Sequence, residues 1–186
     1  MECKRNKKLY SLKDLGKIKE SAKKSMQEAM NLLQTEKNAL ELFSKMKFQK
    51  SGFDPLSTEP CNLLEQVNQV FTILMSCYAA TNLIEGASYF EFAFAEKSGR
   101  DLVAYDSNRN KIAEAEIFTA VSAKNNGKLR KEINRLRDNK DIVQKTKRMV
   151  IYTANAEYKK NILPDDDKVT VIFCPLTKFF EWIRSE

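Results

Sequence analysis

The hydrophobic period of the chain changes after Gly86, and this change limits the folds that the sequence can adopt. Before it, apolar residues recur every three or four positions over residues 11–48 and 62–84, which predicts helices. After it, alternation predicts three strands joined by short turns, at 89–95, 101–106 and 111–119. These turns are too short for a crossover, so the three strands must form an antiparallel meander.

The rest of the chain predicts a layered α/β fold. Later patterns predict a basic helix, two apolar strands and a closing helix, at 128–140, 149–154, 169–174 and 177–184. A strand that follows a helix is expected to run parallel to the strand before it, through a right-handed crossover. The prediction is a three-layer α/β/α fold whose mixed central sheet combines the meander, a crossover helix and a parallel strand. A basic N-terminal helical segment, 1–50, precedes the α/β domain, 51–186, and the two are expected to form one compact unit.

The composition excludes several kinds of chemistry. The chain contains no histidine, so Ser-His-Asp and Cys-His catalysis and histidine-based zinc sites are excluded. None of the four cysteines forms a CxxC pair, which indicates a reduced, cytoplasmic protein. The N-terminus lacks the apolar region of a signal peptide, and the most apolar stretch, 70–80, is too short to span a bilayer, so no membrane association is expected.

The net charge of +7 is unevenly distributed along the chain. Residues 1–50 and 101–160 are basic, whereas residues 51–100 are acidic. Basic blocks attract a polyanion, and a local acidic cluster can hold a metal ion against it. Solubilising charge on helix surfaces is the alternative interpretation.

Three carboxylates are predicted to share one face of the second hairpin. With a turn at 107–110, Val103 pairs with Glu114 and Tyr105 with Ile112, so Asp101, Glu114 and Glu116 project together. Their predicted apolar neighbours on that face are Val103, Tyr105, Ile112 and Phe118. Such carboxylates would raise one another's pKa, and Mg²⁺ or Mn²⁺ would relieve the repulsion. An exposed edge hairpin with its glutamates in water is the alternative, and a shift of one residue in the turn would move Asp101 to the other face.

The order of elements over residues 62–175 resembles the core of the PD-(D/E)XK (restriction endonuclease-like) nucleases. In that family, an acidic residue of the second strand and an acidic-x-lysine motif of the third bind metal and attack a phosphodiester. Asp101 in Gly99-Arg100-Asp101 matches the first acidic position, and Glu114-Ala115-Glu116 matches the second motif. Arg100 stands where the family often has proline, and Glu116 stands where it has lysine.

The resemblance implies further site residues. It implies metal binding by Asp101, Glu114 and the carbonyl of Ala115, with an additional acidic ligand from the preceding helix at Glu65. Glu91 is a weaker candidate for that ligand. Glu116 would orient the metal-bound water that attacks the phosphodiester. Alternatively, a lysine that has migrated to the following segment would do so, and the candidates are Lys124 and Lys128. The sequence of residues 164–168, Pro-Asp-Asp-Asp-Lys, is similar to the family motif. No hairpin is predicted around this segment, so we interpret it as a turn.

The basic helix that follows the hairpin is expected to contact phosphates beside the metal site. Its candidate nucleic-acid-binding residues are Lys128, Arg130, Lys131, Arg135 and Arg137. The resulting hypothesis is a divalent-metal-dependent endonuclease that hydrolyses phosphodiester bonds in DNA, such as a small type II restriction endonuclease. Resemblance alone implies a homodimer, and RNA remains open as a substrate. The alternatives are a catalytically inactive nuclease-like module that binds nucleic acid, and a protein-interaction module.

Overall fold

A computed structural model describes residues 8–92, 100–122, 127–137, 146–155, 157 and 168–185. Within these ranges the chain forms five helices and eight strands. They are β1 (Tyr10–Ser11), α1 (Leu12–Thr35), α2 (Ala39–Phe48), β2 (Gly52–Phe53), β3 (Pro60–Cys61), α3 (Leu63–Asn82), β4 (Tyr89–Phe92), β5 (Leu102–Tyr105), β6 (Lys111–Thr119), α4 (Lys128–Arg137), β7 (Lys147–Ala154), β8 (Thr170–Pro175) and α5 (Leu176–Arg184).

The predicted mixed α/β fold is confirmed. A six-stranded sheet has the order β1-β4-β5-β6-β7-β8, and β4, β5 and β6 form the expected antiparallel meander. β7 runs parallel to β6, and β8 runs parallel to β7. The short strands β1, β2 and β3 were not predicted, because two residues carry no periodic pattern. The ends of the predicted first strand and basic helix, 93–95 and 138–140, lie outside the described residues.

The register of the second hairpin departs from the prediction at one position. Val103 pairs with Glu114 as expected, but Tyr105 pairs with Lys111 instead of Ile112. The irregularity between Ala104 and Tyr105 places one extra residue on β6, as in a β-bulge. Ile112 consequently packs into the core on the opposite face of the sheet. The prediction that it lies beside the carboxylates is therefore wrong.

Helices cover both faces of the sheet. The larger core packs side chains of α1, α3 and α5 against alternate residues of β6, among them Ala113, Ala115 and Ile117. The smaller core packs α4, through Leu129, Ile133 and Leu136, against Phe118 and the facing side of β7. Residues of β6 therefore point alternately to the two layers, and Glu114 and Glu116 face the α4 side.

The N-terminal segment contributes to the larger core. β1 adds an edge strand beside β4, and the α1 residues Leu15, Ile18 and Ala22 are buried. Ser11 is the N-cap of α1, as predicted, and its side chain accepts a hydrogen bond from the Asp14 N–H. None of the helices in the described ranges is long and apolar enough to cross a membrane.

We expect the α4 layer to depend on Leu136, which is fully buried. Leu136→Ala should lower the free energy of unfolding by about 2–5 kcal/mol, because the substitution leaves a cavity between α4 and the sheet. Val121→Ala, at a position that is 74% exposed, is the matched control and should change it by less than about 0.5 kcal/mol. Urea denaturation measures both variants, and equal midpoints would contradict the packing described for α4.

Candidate functional site

Asp101 lies immediately before β5 and is held against the centre of β6. Its Oδ2 accepts a hydrogen bond of 2.8 Å from the backbone N–H of Ile117. This bond brings its carboxyl group beside that of Glu116, within hydrogen-bonding reach. Burial raises the pKa of Asp101, and the hydrogen bond from Ile117 only partly opposes that effect. The hairpin thus brings two of the three predicted carboxylates together.

Glu116 is the most deeply buried member of this pair. Its side chain is 1% exposed, and burial, followed by the charge of Asp101, raises its pKa to about 8. Arg135 Nη1 donates to its Oε2 across 3.2 Å. Its other oxygen, Oε1, is buried without a hydrogen-bond donor. Two ionised carboxylates can only accept hydrogen bonds, so a contact between them requires a proton or a cation.

Helix α4 adds a third carboxylate, Glu132, which was not among the residues predicted from the sequence. Lys128 Nζ lies 2.6 Å from its Oε1, and Arg135 Nη1 lies 3.5 Å from its Oε2. The charge of Glu132 also raises the pKa of both Asp101 and Glu116, although burial has the larger effect on each. A signal was present in the sequence, because Glu132 occurs on the inward stripe of the helix, between Leu129 and Leu136. We call Asp101, Glu116 and Glu132, with Lys128 and Arg135, the carboxylate cluster.

Glu114 has a different environment from Glu116, two residues further along the same face of β6. Its carboxylate is 2% exposed and is surrounded by cations. Arg100 Nε lies 3.5 Å from Oε2 and Arg148 Nε lies 3.6 Å from Oε1, and Lys111 also bonds to Oε2. Buried charges in proteins are usually compensated in this way. Glu114 is therefore part of a compensated ion cluster, and its oxygens face side-chain cations already present.

The other acidic candidates lie away from the carboxylate cluster or have structural partners. Glu65 is exposed, and its carboxylate caps α3 by accepting from the Asn62 N–H; α3 packs on the opposite face of the sheet. Glu91 is buried and accepts a hydrogen bond of 2.7 Å from the Tyr105 hydroxyl. Ala115 is buried between β5 and β7, where it pairs with residues on both sides.

The basic candidates divide into two groups. Lys128 and Arg135 belong to the carboxylate cluster, and the Lys128 ammonium also lies 5.9 Å from the centre of the Phe118 ring. Arg130 and Lys131 are exposed on α4. Arg137, at the end of α4, is exposed, and its carbonyl accepts from Arg148 across 3.5 Å. Lys124 lies outside the described residues, as do residues 164–167 of the Pro-Asp-Asp-Asp-Lys segment.

Among the residues that the structure describes, no three acidic or cysteine side chains are placed so that together they could hold a metal ion. The Asp101–Glu116 pair nevertheless has the properties of a partial cation site: oxygen donors, burial and an unpaired Oε1. Mg²⁺ is commonly bound by one or two carboxylates and completed by water and substrate phosphates. The side chains present therefore fit a divalent cation of this kind.

Comparisons of the chain with models of known protein families, with curated proteins and with solved structures find no match.

The raised pKa of Glu116 predicts how stability depends on pH in the absence of metal. Between the ordinary glutamate pKa of 4.5 and about 8, the folded protein retains a proton that the unfolded chain releases, so stability should fall as pH rises through this window. Glu116→Gln removes the titrating group and should flatten that fall. Denaturation midpoints at pH 5 and pH 9 in EDTA measure the effect. If the midpoints of wild type and Glu116→Gln differ by the same amount at pH 5 and at pH 9, the assignment of the raised pKa to Glu116 is contradicted.

Proposed function

We propose that this protein is a divalent-metal-dependent endonuclease that hydrolyses phosphodiester bonds, with DNA as the favoured substrate. The observation that carries the proposal is the buried Asp101–Glu116 pair, with Oε1 of Glu116 unpaired. Basic side chains beside the pair and a net charge of +7 support a polyanionic substrate. The resemblance of the hairpin motif to PD-(D/E)XK nucleases agrees with this proposal.

Asp101 and Glu116 are proposed to hold Mg²⁺ or Mn²⁺. When bound, the ion would supply Lewis-acid activation of water and neutralise charge on the scissile phosphate. The Ile117 N–H fixes the Asp101 carboxylate beside that of Glu116. Binding of a cation at this pair requires that the carboxylates lose any shared proton.

The basic members of the carboxylate cluster are proposed to contact the phosphate that is cleaved. Arg135 bridges Glu116 and Glu132, and Lys128 bonds Glu132. The Arg135 side chain is 41% exposed and that of Lys128 is 48% exposed, so both can reach a phosphate from solvent. Glu116 stands at the position of the motif lysine, and we assign the role of that lysine to Lys128. Lys128 contacts the phosphate from the first turn of α4.

A second candidate function is nucleic-acid binding without cleavage. Two observations favour it: glutamate occurs at the position of the motif lysine, and Arg135 already partly neutralises Glu116. In this case binding would be salt-dependent and insensitive to metal ions. Plasmid cleavage in the presence of Mg²⁺ or Mn²⁺ separates the two functions.

We propose a cytoplasmic location as well. Cys61, Cys77 and Cys174 are buried and free, and burial raises the pKa of the Cys77 thiol to about 12. Thiols of this kind behave as small apolar core residues and are typical of a reducing compartment.

Cleavage of supercoiled plasmid in Mg²⁺ or Mn²⁺, with EDTA as the blank, tests the nuclease proposal. Asp101→Asn and Glu116→Gln should lower the rate by about 100-fold or more, because a metal ion contributes several kcal/mol to the transition state. Glu65→Gln is the matched control, since glutamine also serves in a capping box, and it should cleave like wild type. Metal-independent cleavage, or full activity of Glu116→Gln, would refute the proposed site.

The exposed basic side chains of α4 should set the salt dependence of DNA binding. Replacing both Arg130 and Lys131 with glutamine should reduce the slope of log K against log salt by up to about 0.9 for each phosphate that the helix no longer neutralises. The double variant Lys37→Gln/Lys50→Gln, at two exposed positions outside α4, is the control for the same change in net charge. Fluorescence anisotropy in EDTA at several salt concentrations measures the slopes. Equal slopes for the α4 variant and wild type would remove this helix from the interface.

A further inference from the structure

A pocket of about 290 Å³ opens at the carboxyl ends of β6 and β7, on the face of the sheet opposite α4. Aromatic side chains from two helices, Phe71 of α3 and Phe179 and Phe180 of α5, form much of its wall. The Phe71 and Phe180 rings meet edge to face, with centroids 6.5 Å apart. The carboxyl ends of parallel strands are where α/β sheets commonly bind ligands, and aromatic walls favour a planar ring.

A polar group without a partner lines this pocket. Thr153, near the end of β7, is 1% exposed, and its Oγ1 is buried without a hydrogen-bond partner. Its neighbours in the pocket include Thr119 and Asn155. A buried hydroxyl that lacks a partner destabilises the folded protein, and valine of nearly the same shape would avoid that cost. The hydroxyl can donate to or accept from one polar atom on the edge of a ring.

The first turn of α5 borders the same pocket through Leu176. This helix follows β8 directly; Pro175 is its N-cap, and no side chain caps its first backbone N–H groups. The first turn contains no acidic residue. Free N–H groups at a helix N-terminus attract anions. The pocket therefore combines an aromatic wall, one unsatisfied hydroxyl and a region that favours negative charge.

We propose that this pocket binds one unstacked base of a single-stranded nucleic acid, with a phosphate of the same strand at the start of α5. The inference rests on the proposed function for the choice of a nucleic-acid ligand. β6 links the two sites: Thr119 follows Glu116 by about 10 Å along the strand. A strand end or an unpaired segment that crosses this edge of the sheet can reach both the carboxylate cluster and the pocket.

The test measures binding of a fluorescent ten-nucleotide oligothymidylate by anisotropy in EDTA, where cleavage is absent. Phe180→Ala should weaken binding by about 5- to 150-fold, the range found when an aromatic stacking platform is removed. Thr153→Val should weaken it by about 5- to 10-fold, through loss of the hydrogen bond to the base. Thr170→Val is the matched control at an exposed position of β8 and should bind like wild type.

Thermal unfolding provides a second readout for Thr153→Val. Removing an unpartnered buried hydroxyl should raise Tm by about 2–4 °C in the absence of ligand, so weaker binding would not reflect misfolding. An abasic oligonucleotide of the same length should bind wild type and Thr153→Val equally, since it offers no base. Equal affinity of the two proteins for oligothymidylate, or equal weakening with the abasic strand, would overturn the proposal.

The outcomes remain distinct from those of the cleavage assay. If Glu116→Gln abolishes cleavage but Thr153→Val binds oligothymidylate normally, the pocket proposal alone is overturned. If no protein cleaves DNA but Thr153→Val and Phe180→Ala lose affinity for oligothymidylate, the pocket proposal is supported within a protein that only binds nucleic acid.

Discussion

Two glutamates buried on one face of β6 determine the chemistry available to the α4 side of the sheet. Removing a carboxylate from water is costly unless opposite charge or hydrogen bonds compensate it. Glu114 is compensated by Arg100, Lys111 and Arg148. Glu116, by contrast, has one arginine contact, a neighbouring carboxyl group and a buried oxygen without a donor. This difference separates a compensated ion cluster from the pair that we propose as a cation site.

The backbone of the hairpin explains why the second carboxyl group comes so close. Asp101 lies just before β5, where its side chain accepts a hydrogen bond from the Ile117 N–H on the neighbouring strand. The β-bulge at Tyr105 lies at the other end of the hairpin and leaves the pairing of Leu102 with Ala115 intact. The site therefore depends on the regular part of the meander, and α4 covers it with Glu132 and Arg135 from the same side.

Periodicity predicted the fold class because the elements that pack on the two faces of the sheet have consistent apolar faces. The strand β6 was predicted with its observed bounds, and the pairing of Val103 with Glu114 followed from the short turn. The predicted position of Ile112 was wrong because a bulge depends on local turn geometry that alternation does not encode.

The juxtaposition of Asp101 and Glu116 was predictable from strand pairing, whereas the compensation of Glu114 by Arg148 was not. That contact requires the parallel register of β6 and β7, which sequence spacing does not specify. Glu132 was missed because a charged residue on a basic helix usually faces solvent, and only its place among apolar residues marked it as buried.

The central claim is that Asp101 and Glu116 form a site for one divalent cation. Titration of the protein with Mn²⁺, followed through the electron paramagnetic resonance signal of the free ion, tests this claim without nucleic acid or catalysis. Wild type and Glu65→Gln should each remove one Mn²⁺ per chain from solution, and Asp101→Asn and Glu116→Gln should not. Binding of Mn²⁺ by Glu116→Gln as by wild type, or no binding by wild type, would contradict it.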